Sequence, residues 1–327
     1  MTDSTKFGKN MENSYRPFKS ARDEVRIVEE TTAVSPLTEA PAYRLAFRDD
    51  EFLLSEDLRP VRLQLELMKT EHGLRENGVR STIAFFGSAR ILDRVTALEK
   101  LKQAEENARA HPSDMVLARA VGVARRMLDN SRYYEEAHQL AHIVSEAHGG
   151  SNECVNGDGS DFVVLTGGGP GIMEAANRGA TEAGAKTIGL NIVLPFEQEP
   201  NPYVTPELCF NFHYFAIRKM HFLTRARALV YFPGGYGTLD ELFEVLTLMQ
   251  TGKIKRLPIL MFGREFWTRV VNFHALAQEG MINAEDIDLF RYVETAEEAW
   301  DAIAQYYRQN PNGDEDTDVP SEPPPTS

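Results

Sequence analysis

The sequence is poor in cysteine, because its 327 residues include two, Cys154 and Cys209. Two cysteines cannot build a disulfide framework, so we expect a reducing, cytoplasmic environment. No apolar run approaches the roughly 20 residues that a membrane-spanning helix needs. Residues 1–20 also lack the apolar core of a secretory signal. The sequence therefore predicts a protein that has no membrane partner.

Positive charge is also scarce. The chain has 35 Lys and Arg residues against 49 Asp and Glu residues, a net charge of −14. A nucleic-acid-binding protein needs a basic face to neutralise phosphates, so no nucleic-acid partner is predicted. The motifs GxxxxGK[ST], CxxC and GxSxG do not occur, which argues against P-loop nucleotide hydrolases, thiol redox sites and serine hydrolases. A hydrophobic content of 42% is typical of a globular protein with a sizeable core.

Short apolar runs do occur, and they alternate with helical patterns. The runs lie at 82–86, 162–166, 187–193, 228–232 and 258–262. Continuous apolar runs of five to seven residues between amphipathic helices indicate strands that are buried on both faces of a parallel sheet. The predicted fold class is therefore α/β, with a Rossmann-like open parallel sheet flanked by helices.

The remaining segments complete the predicted organisation. We expect a disordered N-terminus at 1–40, a helical extension at 41–80, the sheet domain at 81–308 and a disordered acidic, proline-rich tail at 309–327. Residues 91–130 form a helical insertion after the first strand, in which Ser113 or Asp114 caps the second helix. The insertion contains no glycine loop or paired acid, so we expect it to serve assembly or packing.

Glycine-rich turns follow three of the predicted strands, at 85–90, 165–173 and 231–241. In an open α/β sheet, ligands bind outside the carboxyl ends of the strands, so these turns predict a cleft walled by backbone. The middle turn does not match the dinucleotide pattern GxGxxG, because starting at Gly167 puts Ile172 at the last glycine. A nicotinamide-dependent dehydrogenase is therefore disfavoured.

The most informative turn is residues 233–241, with the sequence PGGYGTLDE, directly between a strand and a helix. Gly235, Gly237 and Thr238 are suited to cradle a phosphate at the positive end of that helix. An alternative is purely structural, because Thr238 and Glu241 have the spacing of a capping box. The local pattern alone gives these two interpretations about equal weight.

A helix is predicted from His213 to Arg227, and it places Arg218 on one face with Tyr214 and Phe222. An arginine held between two aromatic residues near glycine loops is a suitable anchor for phosphate or ribose. The alternative is a basic last turn that complements the helix C-terminus, which suits Arg227 better than Arg218.

Together these residues resemble the LONELY GUY family, the cytokinin-activating phosphoribohydrolases that were long mislabelled as lysine decarboxylases. The family pattern PGGxGTxxE is matched in full at 233–241, and its Arg-Lys pair is matched by Arg218 and Lys219. The similarity covers about 82–90 and 131–308, and the form TGGGPGIMEAANRGA is similar to the longer bacterial members.

The resemblance implies hydrolysis of the N-glycosidic bond of a nucleoside 5′-monophosphate, AMP or an N6-substituted AMP, to free base and ribose 5-phosphate. It implies Glu241 and Arg218 as catalytic residues, with no cofactor and no metal. The substrate-binding residues it implies are Ser88, Gly168, Gly169, Glu197, Lys219, Gly234, Gly235, Tyr236, Gly237, Thr238 and Thr247. Family members are dimers or larger, so a homodimer or higher homo-oligomer is expected. The alternative is a non-enzymatic carrier of a nucleotide or of molybdenum cofactor with the same fold.

Overall fold

The structure is a computed structural model that describes residues 18–149, 162–195 and 199–310. The chain divides between Leu65 and Glu66 into two compact units. The sequence predicts this border near residue 80. In the structure the border divides the helix Arg59–Glu76, and its residues from Glu66 onward belong to the unit that contains the sheet.

The helices and strands of the described residues follow in chain order. The helices are α1 Ala21–Thr31, α2 Asp50–Leu53, α3 Arg59–Glu76, α4 Arg94–Ala110, α5 Met115–Gly149, α6 Ile172–Glu182, α7 Phe215–Thr224, α8 Tyr236–Gln250, α9 Arg264–Val270, α10 Phe273–Gln278 and α11 Ala296–Gln309. The strands are β1 Ser81–Phe86, β2 Phe162–Thr166, β3 Thr187–Ile192, β4 Cys209–Phe212, β5 Ala226–Tyr231, β6 Ile259–Phe262 and β7 Arg291–Val293.

In the described part of the chain, seven strands form one sheet in the order β4-β3-β2-β1-β5-β6-β7. Every neighbouring pair is parallel, so the predicted α/β fold with an open parallel sheet is confirmed. From β1 the chain builds outward to β4, then returns to place β5 on the other side of β1. The strand order therefore reverses between β1 and β5, and such a reversal opens a crevice at the carboxyl ends of the strands.

The sheet is buried on both faces, as its apolar runs predict. In β1 all six residues are buried. Ile83 and Phe85 belong to one hydrophobic cluster, whereas Ala84 and Phe86 belong to the other. Because side chains alternate along a strand, these two clusters lie on opposite faces of the sheet.

The pattern of apolar runs does not predict the two edge strands, β4 and β7. They contain four and three residues, and in β4 burial alternates with exposure. Short edge strands carry no long apolar run, so their pairing depends on the neighbouring strand. The predicted helix at 213–227 is also too long. It ends at Thr224, and Arg227 lies in β5.

The predicted helical insertion after the first strand is the hairpin of α4 and α5. Of the two candidate caps, Asp114 fills the role, because its Oδ1 accepts hydrogen bonds from Val116 N at 2.8 Å and Leu117 N at 3.3 Å. Helix α5 continues for 35 residues without a break at residue 130. The insertion therefore lengthens the helix that connects β1 to β2.

The first unit contains α1, although the sequence predicts disorder for residues 1–40. Ser20 caps α1 by accepting a hydrogen bond from Asp23 N, and no residue of α1 is buried. This short helix is stabilised locally by its cap and buries no residue against a core. Residues 1–17 and the tail beyond residue 310 lie outside the described residues. Across the described ranges, no helix combines the length and apolar character required to cross a membrane.

Candidate active site

A cleft of about 770 Å³ opens at the reversal of strand order. The turn after β1 contributes residues 87–91, the turn after β2 contributes Gly167 and Met173, and residues 233–241 follow β5. The structure thus brings the three glycine-rich turns together at one edge of the sheet. Ser88, Arg218 and Glu241 are among the lining residues.

The start of α8 excludes the capping-box interpretation of Thr238 and Glu241. The N-cap is Gly235, and it makes no side-chain capping bond. Thr238 lies inside the first turn, where its Oγ1 would clash with a Cβ added at Gly234. The first helical bond is donated by Leu239 N to Gly235 O, so the preceding amides are available to a ligand.

Gly235 and Gly237 keep this part of the cleft open. A Cβ added at either position would meet no protein atom within 4 Å. The missing side chains therefore leave room for a ligand against the backbone of the first helical turn. Tyr236 is 94% exposed beside them.

Glu241 is a buried carboxyl group, with 8% of the residue exposed. Burial raises its pKa from the usual 4.5 to about 7, and the negative charges of Glu244 and Asp240 add to the effect. Lys219 and Arg218 lower the pKa and limit the rise. A carboxyl group held in this way changes protonation near neutral pH, which is a property of catalytic acids and bases.

Arg218 is fixed in α7 at the floor of the cleft. Its Nε donates a hydrogen bond to the carbonyl of Leu190 at 2.7 Å, and its guanidinium carbon lies 5.2 Å from the centre of the Phe222 ring. A Cβ at Gly167 would come within 2.7 Å of Arg218 Nη2, so this glycine makes room for the guanidinium group. Burial lowers the pKa of Arg218 from its usual value, and the charge of Glu241 opposes this.

Lys219 and Thr247 lie outside this cleft. Both line a shallow depression along α8, together with Asp240 and Glu244. Lys219 Nζ is 2.7 Å from Asp240, 2.9 Å from Glu244 and 4.0 Å from Glu241. Its role in this structure is to link the acidic side chains around Glu241. The exposed Thr247 hydroxyl donates to the Phe243 carbonyl within α8.

Gly168 and Gly169 are also outside the cleft lining. Asn201 Nδ2 donates hydrogen bonds to the carbonyls of Gly168 at 3.1 Å and Gly169 at 2.9 Å. Gly168 has a φ of +74°, a conformation that favours glycine. The two glycines therefore shape the turn after β2. Glu197 falls outside the described residues.

The sequence analysis did not identify Met127 and Asn130, which line the cleft from α5. The insertion at 91–130 was expected to serve assembly or packing rather than chemistry, and these two residues of its last turn line the cleft. No local motif marks these residues, because only the packing of α5 against the sheet brings them to the cleft. Phe215, which lines the cleft from α7, was also missed.

Truncating Met127 to Ala is expected to raise KM for the ligand of this cleft by about tenfold, because a buried contact of about 1–2 kcal/mol is lost. Met115→Ala is the matched control, since Met115 lies in the same helix, is 68% exposed and does not line the cleft. Steady-state kinetics or equilibrium binding measures the effect. Equal KM values for the two variants would remove Met127 from the binding site.

Solved structures with a similar chain trace include two proteins that bind molybdenum cofactor. The molybdenum cofactor binding protein of Rippkaea orientalis is 18% identical, with a TM-score of 0.38, and the match covers 53% of this chain and 87% of that one. The molybdenum cofactor carrier protein of Chlamydomonas reinhardtii is also 18% identical, with a TM-score of 0.36, and the match covers 69% of this chain and 97% of the other.

Sequence comparisons identify relatives in rice, Oryza sativa subsp. japonica. A probable cytokinin riboside 5′-monophosphate phosphoribohydrolase is 27% identical over 44% of this chain and 68% of its own length. A cytokinin riboside 5′-monophosphate phosphoribohydrolase is 32% identical over 38% of this chain and 51% of its own length, about half of that relative. A family model described as "possible lysine decarboxylase" matches residues 173–303. Together with the complete PGGxGTxxE pattern at 233–241, these matches support membership of the LONELY GUY family.

Proposed function

We propose that this protein hydrolyses the N-glycosidic bond of a nucleoside 5′-monophosphate, releasing free base and ribose 5-phosphate. The observation that carries the proposal is the buried carboxyl group of Glu241, which faces the cleft beside the open start of α8. The names of the two rice relatives support an activity of this class.

The phosphate group binds at the start of α8 in this proposal. The amides that precede Leu239 N and the positive end of the helix dipole are complementary to an anion. Arg218 adds a fixed positive charge from the floor of the cleft. These contacts hold the ribose so that its C1′ atom lies against Glu241.

The reaction breaks the bond between C1′ and the base nitrogen, and it forms a bond between C1′ and a water oxygen. The sugar acquires positive charge as the base departs, as in glycoside hydrolysis. In its ionised form, Glu241 stabilises this charge and accepts the proton of the attacking water. The departing base takes up a proton from solvent.

The position of Glu241 favours hydrolysis over a non-enzymatic carrier function. A carrier of a phosphate-bearing ligand gains nothing from a buried carboxylate beside the phosphate, because two negative charges repel each other. The burial of Glu241 also destabilises its ionised form. Catalysis gives a physical reason for that arrangement, since active sites use perturbed carboxyl groups.

The base lies against the apolar part of the cleft in this proposal. Met127, Phe215 and Phe266 line the cleft and offer surface for a planar purine. The volume of about 770 Å³ is sufficient for AMP or an N6-substituted AMP. A homo-oligomer is part of the proposal, with Lys219 and Thr247 on the surface that a second copy covers.

The direct test is incubation of the purified chain with AMP, an N6-substituted AMP, GMP, CMP and UMP, followed by chromatography of the products. We expect equal amounts of free base and ribose 5-phosphate from at least one purine monophosphate. Absence of base release from all five compounds at high enzyme concentration would refute the proposed function.

A further inference from the structure

Two carboxylates of α3 hold the two ends of α7, the helix that carries Arg218 and Lys219. At the start of α7, Glu66 accepts a hydrogen bond from His213 N at 2.7 Å and another from Tyr214 N at 3.2 Å. The N-cap residue, Tyr214, makes no side-chain capping bond of its own. Glu66 therefore fixes the two backbone amides that lead into α7, and its negative charge lies at the positive end of the helix dipole.

At the end of α7, Glu71 binds Arg225. The two carboxylate oxygens of Glu71 accept hydrogen bonds from Arg225 Nη1 and Nη2, both at 2.7 Å. The hydrogen bond to Arg225 lowers the pKa of Glu71, so the pair is charged at neutral pH. A bidentate pair of this kind fixes orientation as well as distance. His221, with a fully buried side chain, places its Nδ1 3.4 Å from Glu71.

Arg218 and Lys219 lie between these two attachment points. Glu66 and Glu71 do not line the cleft, so neither contacts a ligand there. We propose that Glu66 and Glu71 are positioning residues, which set the place of α7 and so hold Arg218 and Lys219 at their working distances from Glu241. This inference rests on the proposed function of the cleft.

The position of α7 controls the chemistry through charge. Lys219 is 4.0 Å from Glu241, and its positive charge lowers the pKa of that carboxyl group. Arg218 acts in the same direction, whereas Glu244 and Asp240 raise the pKa. A displacement of α7 weakens the two favourable interactions but leaves both acidic neighbours on α8. The pKa of Glu241 then rises further.

The experiment compares Glu66→Ala, Glu71→Gln and the control Glu76→Gln in the full-length protein. Glu76 belongs to the same helix, and it forms an ion pair with His72 of α3 rather than with α7. We expect kcat for AMP to fall about 10- to 100-fold in the first two variants, as for a small misplacement of catalytic groups. The acidic limb of the kcat/KM profile should also move to higher pH, an effect that loss of stability alone does not produce. For Glu66→Gln, which keeps one acceptor oxygen, we expect a kcat between those of Glu66→Ala and the wild type.

Hydrogen exchange of the α7 amides gives a second readout that does not need activity. Exchange should be faster at 215–224 in Glu66→Ala and Glu71→Gln, whereas the buried strand β1 should exchange as slowly as in the wild type. Faster exchange in β1 as well would show general unfolding and would overturn the positioning role. Unchanged α7 exchange, or a normal kcat with an unmoved acidic limb, would also overturn it. A wild-type chain that releases no base refutes the proposed function, while α7 exchange still decides whether α3 holds α7.

Discussion

Replacing Glu241 with Gln is expected to lower kcat for AMP by about 10²- to 10³-fold, the usual cost of losing one preorganised electrostatic group. The amide has nearly the same shape as the carboxyl group, but it carries no negative charge and accepts no proton from water. Glu244→Gln is the matched control, because Glu244 lies in the same helix and pairs with Lys219 but does not line the cleft. We expect the control to retain nearly full activity.

The same Glu241→Gln change is expected to stabilise the folded protein at pH 8. The folded-state pKa of Glu241 is about 7, compared with 4.5 as its usual value. Between these two values the folded chain keeps a proton that the unfolded chain releases, so stability falls as pH rises and stays lower above pH 7. The penalty is about 1–3 kcal/mol. Gln removes the penalty, and Lys219 keeps Asp240 and Glu244 as partners.

Thermal unfolding at pH 8 and pH 4 measures this effect. The melting temperature of Glu241→Gln should exceed that of the wild type by several degrees at pH 8, at about 2–4 °C per kcal/mol. The difference in melting temperature should nearly vanish at pH 4, where Glu241 in the wild type and Gln in the variant are both neutral. An equal or lower melting temperature at pH 8 would contradict the burial of a destabilised carboxylate.

The pH profile of the wild type follows from the same pKa. Because the reaction needs ionised Glu241, kcat/KM should be low below pH 7, increase as pH rises through about 7, and reach a plateau above it. A profile that is already flat at pH 5 would mean that another group limits the reaction.

AMP is expected to be cleaved about 10²- to 10⁴-fold more efficiently than adenosine, expressed as kcat/KM. Each charge-assisted hydrogen bond to the phosphate contributes roughly 1.5–3 kcal/mol, and loss of two such bonds removes about 3–6 kcal/mol. Without a phosphate, the amides at the start of α8 stay hydrated and nothing holds C1′ against Glu241. Chromatography of both reactions under identical conditions measures the ratio.

Gly237→Val tests where the phosphate binds. A Cβ at Gly237 meets no protein atom within 4 Å, so the variant should fold and place its side chain in the cleft. We expect it to lose the preference for AMP. Thr238→Ala should reduce the preference only modestly, because the backbone donors remain. The control is Gly122→Val, on α5 outside the cleft, where the nearest neighbour of an added Cβ is Arg126 at 4.0 Å.

Cleavage of adenosine within about tenfold of AMP by the wild type would refute a phosphate site at α8.

Much of the fold could be predicted because its central strands have a recognisable local sequence pattern. A strand that is buried on both faces must be apolar at successive positions, and β1, β2 and β5 contain such runs. The edge strands β4 and β7 have no such apolar run, since they are short and one side of each is unpaired.

The candidate site was predictable to the extent that its residues are close in sequence. The segment at 233–241 contains both the glycine turn and Glu241, so one family pattern, PGGxGTxxE, points to both. Met127 is more than one hundred residues away from that segment. Glu66 is 147 residues from its partner His213, and Glu71 is 154 residues from Arg225. Contacts at such separations have no signature in a single sequence.

The sequence by itself therefore determined the α/β class and the three glycine-rich turns, because each depends on neighbouring residues, whereas the family resemblance indicated Glu241. The sequence left open whether Thr238 and Glu241 cap a helix or line a cleft. The tertiary structure decided that question by starting α8 at Tyr236, which carries Glu241 past the cap. The fold also decided the pKa of Glu241 and the contribution of α5, since burial and charge depend on residues that only folding brings together.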